Sequence, residues 1–423
     1  MLNIIYSLFY TLLSPLYLYS LYKYKTGKPV IGSRWKEHFG YSPKLKTKKT
    51  PLWIHAVSVG EVIAVSPFIK QLKKQHPTLS IVLTTTTSTG AEQALKLGNL
   101  IEHRYMPLDF SFAIKRFIKI INPQQLVIME TELWPNTLAI TAKNNIPVII
   151  LNARLSARSF SRYQKIQWVF NLLAKNIDII LCQSNADAER FIDLGIKKQK
   201  IQVTGSIKYD IDIAHSDIIK GEKLKKQIGK RPIWIACSTH EGEDIILLNA
   251  HKKLLKTTEN ALLILVPRHP ERFENVLQLA LKLNLKTVSH SSQINLSADI
   301  EVYLGDTMGE MMALISVANV CFMGGSLLGD KVGGHNLLEP ASLGKPILSG
   351  PSFYNFKGIG TQLINIQACT LCHNENDICE HLEILLNDIA LQKKQGANAL
   401  QMVEKNKGAI IKSINALEQI ISL

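Results

Sequence analysis

The 423-residue chain contains neither a G-x-x-x-x-G-K-[ST] run nor a G-x-G-x-x-G run. Neither a P-loop nucleotidase nor a nicotinamide dehydrogenase therefore follows from its glycines. Its six cysteines are scattered rather than set in a secreted-style framework, which points to a reducing compartment. No internal repeat is visible, and no aromatic-rich basic patch of the kind that stacks nucleic-acid bases. A secretory leader is not expected: the first residues carry no basic n-region and no small-residue cleavage site. Acidic residues are in deficit, with 34 Asp and Glu against 49 Lys and Arg, a formal charge of +15. That excess asks for an anionic partner: nucleic acid, an acidic lipid or a phosphorylated substrate. Length and a hydrophobic content of 46% are enough for two or three ordinary domains.

One long uncharged run exists, residues 1–22, with five tyrosines in it. Its length is about one bilayer span, and the tyrosines suit an interface. Lys23, Lys25, Lys28, Arg34 and Lys36 follow, which places the body of the protein on the cytoplasmic side. Pro15 and the tyrosines leave open a helix lying in the interface instead of crossing it. Residues 1–25 are therefore read as an N-terminal membrane anchor.

From Pro51 a strand–helix rhythm begins. Apolar runs at 52–57, 80–86, 126–129, 147–151, 177–182 and 201–203 alternate with helical segments. After a charged connection at 211–231 it restarts, with runs at 233–237, 262–266, 302–304, 317–323 and 345–348. Alternation at this spacing predicts parallel sheets with helices on both faces. Two α/β domains of one kind follow, 26–210 and 211–423, the second closed by helices in its tail. In such sheets ligands sit just past the strand C-termini.

Residues 324–334 hold five glycines in eleven positions, between a buried strand and a short helix beginning after Asn336. Glycine permits sharp turns and close backbone approach, and free N–H groups at such a loop suit phosphate. Asn336 and Glu339 also have the spacing of a capping box. Arg268, His269 and Arg272 follow a strand and match a phosphate. In the first half, Glu61 lies at a strand–helix turn, where it can accept a proton from a hydroxyl. The helix N-terminus is expected to lower its pKa. Glu130 and Glu132 share a face of an extended segment. They can hold Mg²⁺, pair with Arg154 or Arg158, or stabilise positive charge. Lys208 lies at the domain junction and suits a phosphate or carboxylate. Cys369-Thr-Leu-Cys372-His373 matches a haem-attachment pattern, and Cys379 and His381 are near enough for zinc. Two half-buried thiols is the simpler reading. His240 with Glu241 and Glu243 has no second histidine at helical spacing for a metal.

Six motifs occur in order: Ser58-Val59-Gly60-Glu61, Met129-Glu130-Thr131-Glu132-Leu133-Trp134-Pro135-Asn136, Asn152-Ala153-Arg154-Leu155-Ser156, Ser238-Thr239-His240-Glu241-Gly242-Glu243, Pro267-Arg268-His269-Pro270-Glu271-Arg272-Phe273 and Gly333-Gly334-His335-Asn336-Leu337-Leu338-Glu339-Pro340. Together the chain resembles the 3-deoxy-D-manno-octulosonic acid (Kdo) transferases of lipopolysaccharide synthesis, as far as about residue 360. The resemblance implies a GT-B fold, two Rossmann-like domains facing across a cleft. It implies inverting transfer of Kdo from CMP-Kdo to a lipid A precursor (lipid IVA) at the cytoplasmic face of the inner membrane. Anionic inner-membrane lipids are partners on this reading; nucleic acid, metal ions and a separate cofactor are not. By motif, Glu61 is the general base, and Glu130 and Lys208 stabilise the transition state. Arg268, His269, Gly309, Glu310, Met311, Asn336, Leu337, Leu338 and Glu339 hold CMP. Within the same fold the alternative is a transferase or epimerase that uses a uridine nucleotide.

Overall fold

The structure, a computed structural model, describes residues 2–23, 29–292 and 296–420. Of the basic run after the first helix, Lys25 and Lys28 lie outside the described residues. The chain forms two compact units, one of Met1–Asp210 with Asn406–Leu423 and one of Ile211–Lys405.

In the first unit the strands are β1 (Leu52–His55), β2 (Ile81–Thr85), β3 (Glu102–Tyr105), β4 (Gln125–Met129), β5 (Val148–Ala153), β6 (Ile179–Cys182) and β7 (Ile201–Val203). They lie in the order β3-β2-β1-β4-β5-β6-β7, all parallel. Side chains alternate between two cores, as strand geometry requires. Trp53, Leu126 and Ile128 enter the core on one face, with Phe117 and Phe170. Leu52, Ile54, Val127 and Met129 enter the other, with Phe68 and Leu72. The helix Ala409–Glu418 belongs to this second face: Ile410, Ile414 and Leu417 are part of its core. Asp210 fastens the entry to that helix, accepting the Gly408 and Ile410 N–H groups at 2.5 Å each. The sequence reading closes the second half with this helix. Its apolar stripe is instead buried in the first unit.

The second unit repeats the plan with β8 (Ile233–Thr239), β9 (Leu262–Pro267), β10 (Thr287–Ser289), β11 (Val302–Leu304), β12 (Val320–Met323), β13 (Ile347–Ser349) and β14 (Cys369–Leu371). Their order is β10-β11-β9-β8-β12-β13-β14, again all parallel. In each sheet the first strand is internal and the order reverses beside it. The two reversal points, β1/β4 and β8/β12, are where such sheets open a crevice at their strand C-termini. The expected strands are present; β3, β10 and β14 are additional. All three are edge strands, and an edge strand need not be apolar on both faces to pair. Glu102-His103-Arg104-Tyr105 therefore gives no hydrophobic signal.

The helix Leu2–Tyr22 packs on the first unit through Tyr10, Tyr17 and Leu18, against Phe39 and Phe110. Its Ser7 hydroxyl and the Asn136 carboxamide are within 3.2 Å. Leu8, Leu12, Leu16 and Tyr19 are exposed, and their spacing places them along one side of the helix. Among the described residues no helix is long and apolar enough to cross a membrane.

Candidate functional site

At the β1/β4 reversal of the first unit, Ser58 caps the helix Val59–Gln75, and its hydroxyl accepts the Glu61 N–H. The Glu61 carboxylate turns back: one oxygen accepts the Val57 N–H at 2.8 Å and the other the Ser58 hydroxyl at 3.1 Å. This is a variant of the capping box, in which the carboxylate reaches the amide one residue before the N-cap. The charge at its end is nevertheless unusual. Burial pushes the Glu61 carboxyl up to about 7, the carboxylates of Glu130 and Glu132 push the same way, and the two hydrogen bonds pull back less strongly. The expectation that the helix N-terminus would dominate and lower this pKa is overturned, because loss of water outweighs the local donors.

Glu130 follows β4 in the left-handed region, at φ 58°. Few residues other than glycine sit there, and held positions of this kind gather at functional sites. Its N–H donates to the Leu151 carbonyl at 2.9 Å, which fixes the turn. The carboxylate faces Lys208 Nζ at 3.7 Å. Among the described residues its ion pair is thus with Lys208, not with Arg154 or Arg158. Lys208 is carried on the turn Ile207–Tyr209, and Asn152 holds that turn. Asn152 is buried at φ 57°, and its side-chain oxygen accepts the Ile207 N–H at 3.2 Å. The structure therefore brings Glu61, Glu130 and Lys208 to one sheet end, with Asn152 setting the height of the lysine. Asn152 is in a quoted motif, but its positioning role rests on a contact to a residue 55 positions away.

At the β8/β12 reversal of the second unit lies the glycine-rich loop. Its amides are not free. Glu243 is fully buried and accepts the N–H groups of Gly325, Ser326 and Leu327 at 2.7, 2.9 and 3.0 Å. It also accepts the His240 N–H at 3.0 Å. The reading of these amides as a phosphate cradle is corrected: an internal carboxylate already fills that nest of donors. The glycines are needed to let the loop close. At Gly325, φ 70°, a Cβ would come within 2.8 Å of the His335 ring. At Gly333, φ 83°, it would run into Tyr354.

Arg268 and His269 extend exposed from the end of β9, the Arg268 N–H held by the Thr239 carbonyl at 3.0 Å. Arg272 turns inward instead, pairing with Asp244 and donating to the Thr239 carbonyl at 2.6 Å. It is part of the wall rather than a free phosphate ligand. Asn336 and Glu339 combine both readings of their spacing. The Asn336 oxygen accepts the Leu338 N–H at 3.1 Å, and its nitrogen donates to Glu339 at 3.2 Å. Burial raises the Glu339 pKa against the pull of Asn336 and Arg268. Leu337 and Leu338 are buried behind them. At the third strand end, Gly309 takes φ 83°, and Met311 begins the helix Met311–Val317. The Glu310 carboxylate is fully engaged by Lys220 (2.7 Å), Thr307 (2.6 Å) and His290 (2.9 Å). Those partners, Lys220 first, hold its pKa down to about 2. Sequence reading missed the pairing of His240 with His335, whose Nε2 atoms are 2.8 Å apart.

Among the described residues no group of three or more His, Cys, Asp or Glu side chains is arranged to hold a metal ion. Cys369, Cys372 and Cys379 are buried thiols, pushed up to about 12, 12 and 11 by burial. His373 pairs with Asp377.

The chain is similar to known proteins. A family model described as 3-deoxy-D-manno-octulosonic-acid transferase (kdotransferase) matches residues 33–211. A 3-deoxy-D-manno-octulosonic acid transferase of Haemophilus influenzae is 40% identical over 372 residues, covering 87% of this chain and 86% of its own. One from Bordetella pertussis is 30% identical over 87% of each chain. In three dimensions the chain is similar to a UDP-N-acetylglucosamine 2-epimerase, with TM-score 0.56 over 89% of this chain and 98% of that one. At 14% identity that likeness shows the GT-B type of fold alone.

Proposed function

Because the chain belongs to the 3-deoxy-D-manno-octulosonic acid (Kdo) transferase family, and so is a glycosyltransferase of lipopolysaccharide biosynthesis, we propose that it moves Kdo from CMP-Kdo onto the lipid A precursor lipid IVA, with inversion and without a metal ion. The observation that carries this reading is Glu61, a carboxyl at a sheet end whose pKa is raised to about 7. A base poised near the working pH is what proton abstraction from a sugar hydroxyl needs. In this scheme the Val57 N–H and Ser58 hydroxyl orient Glu61 while it takes that proton. The hydroxyl oxygen attacks the anomeric carbon of Kdo from the face opposite CMP, which gives inversion. Glu130 and Lys208 stabilise the charge that develops during the displacement. CMP departs as a phosphate monoester, and its charge is met by Arg268 and His269, with the 309–311 and 336–339 segments holding the nucleotide. Arginine and imidazole can balance that charge without Mg²⁺.

The helix Leu2–Tyr22 holds the enzyme to the cytoplasmic face of the inner membrane by lying in the interface. Its exposed stripe of Leu8, Leu12, Leu16 and Tyr19 supports that placement.

The test is direct. The protein is incubated with lipid IVA and CMP-Kdo generated in situ, and the lipid product is weighed. A mass increase by whole Kdo units is expected, persisting in chelator. Glu61→Gln should bind CMP normally and form no product. CMP should raise the melting temperature and UDP should not. Stabilisation by UDP alone would overturn the donor assignment, and full transfer by Glu61→Gln would overturn the base.

A further inference from the structure

The geometry of two imidazoles in the second unit goes beyond holding a nucleotide. His240 follows β8, and His335 stands 95 residues later, beyond the glycine loop. Their ring planes differ by 5° and their centroids are 5.0 Å apart, while the Nε2 atoms are 2.8 Å apart. Rings stacked face to face do not place two nitrogens at hydrogen-bond distance with centroids that far separated. The rings lie edge to edge in one plane, nitrogen facing nitrogen. Only one proton fits between those nitrogens, one Nε2 donating and the other accepting. A second would set two N–H groups against each other. The pair can therefore gain at most one further proton, on an outer Nδ1, and titrates as a unit.

The surroundings decide whether that proton is present. His269 meets His240 edge to face at 5.5 Å. Arg268 and Arg272 face His240, and Arg268 and His269 face His335. Of the nearby acids, Asp244 is tied to Arg272, and Glu243 is spent on backbone amides. Cations thus oppose charging of the pair from the β9 end, and burial opposes it within the loop, holding His335 down to about 4. An arriving phosphate reverses the balance: it neutralises Arg268 and favours an imidazolium beside it.

We propose that His240 and His335 form a proton-sharing imidazole pair that takes up one proton from solvent, on an outer Nδ1, when the phosphate of a nucleotide binds. The device rests on the nucleotide-binding reading given above for the second unit. The proton moves only between water and the ring, so no redox partner is involved. Binding then strengthens as pH falls, because the complex holds more protons than the free protein.

The test is calorimetric titration of the full-length protein with CMP at pH 7, in buffers of different ionisation enthalpy. Uptake of about half to one proton is expected, with affinity rising up to about tenfold per pH unit between pH 8 and 6.5. His240→Gln and His335→Gln should each remove most of the uptake while melting as the wild type does. The titration of CMP's own phosphate is common to all three proteins and cancels in the comparison. Enthalpies that do not depend on buffer in the wild type would overturn the proposal; so would undiminished uptake in both variants. If one variant does not fold, the other carries the comparison with the wild type. Binding of UDP but not CMP would defeat the donor assignment, and proton uptake with UDP would then judge the pair separately. Binding of neither nucleotide nor inorganic phosphate would overturn it.

Discussion

Glu61 shows how burial sets chemistry. A carboxyl raised to about 7 loses its proton late, so the ascending limb of a kcat/KM profile should centre near pH 7, not near the ordinary carboxylate value. A profile flat between pH 5.5 and 8 would exclude Glu61 as the base. The same shift has a stability consequence. A group whose pKa rises on folding contributes its full stability below the unfolded value and loses it as pH climbs through the folded one. The window here runs from about 4.5 to about 7. Glu61→Gln should therefore be more stable than the wild type at pH 8, by on the order of 1–2 kcal/mol once partial solvent contact is discounted, and nearly equal to it at pH 4. Chemical denaturation at the two pH values checks this. The Glu130–Lys208 pair is half exposed at 3.7 Å, so Lys208→Ala should cost little stability. A loss of transfer without a fall in melting temperature would mark Lys208 as working on the reaction.

Among the elements, the loop after β12 is shaped by one buried side chain. Glu243 satisfies four backbone N–H groups, at His240, Gly325, Ser326 and Leu327. Glu243→Ala leaves those buried donors unpaired and should cost about 3 kcal/mol or more. Thermal unfolding would measure it, and CMP affinity should fall with it because His240 loses its anchor. Asn152 plays a lighter part for the Lys208 turn. Asn152→Ala removes the acceptor for the Ile207 N–H and places alanine at φ 57°. It should lower kcat while leaving CMP affinity unchanged. For the helix Leu2–Tyr22, Leu12→Asp with Leu16→Asp should reduce sedimentation with anionic vesicles. Both residues are exposed and neither belongs to the core with Phe110. Unchanged sedimentation would remove the in-plane anchor.

For the whole molecule, charge and chain path matter most. Residues 1–60 carry nine of the lysines and arginines and a single acid, Glu37. That acid is buried and tied to Arg34. Vesicle binding should therefore weaken steeply with salt, while the apolar stripe keeps a salt-resistant remainder. The chain also returns at its end to the unit where it began. Truncation after Lys405 would strip Ile410, Ile414 and Leu417 from the core beside Phe68 and Leu72. The first unit should lose several kcal/mol, since each buried aliphatic side chain removed costs about 2–3 kcal/mol. Retained full stability would contradict this packing.

The alternation of strands and helices, the two α/β units and the family are legible in the sequence alone. The alternation shows because central parallel strands are apolar on both faces and stand out from the helical segments between them. Only the tertiary structure gave the last helix to the first unit, since an apolar stripe does not name the surface it will cover. Edge strands such as Glu102–Tyr105 were invisible for a related reason: pairing on one side asks little of their side chains. Folding also reversed the expected shift of Glu61, because loss of water around a carboxyl depends on neighbours far away in the chain. The glycine loop changed meaning in the same way. Its glycines were legible, but the carboxylate that fills it comes from 82–84 residues upstream, and the partner of His335 comes from 95 residues upstream.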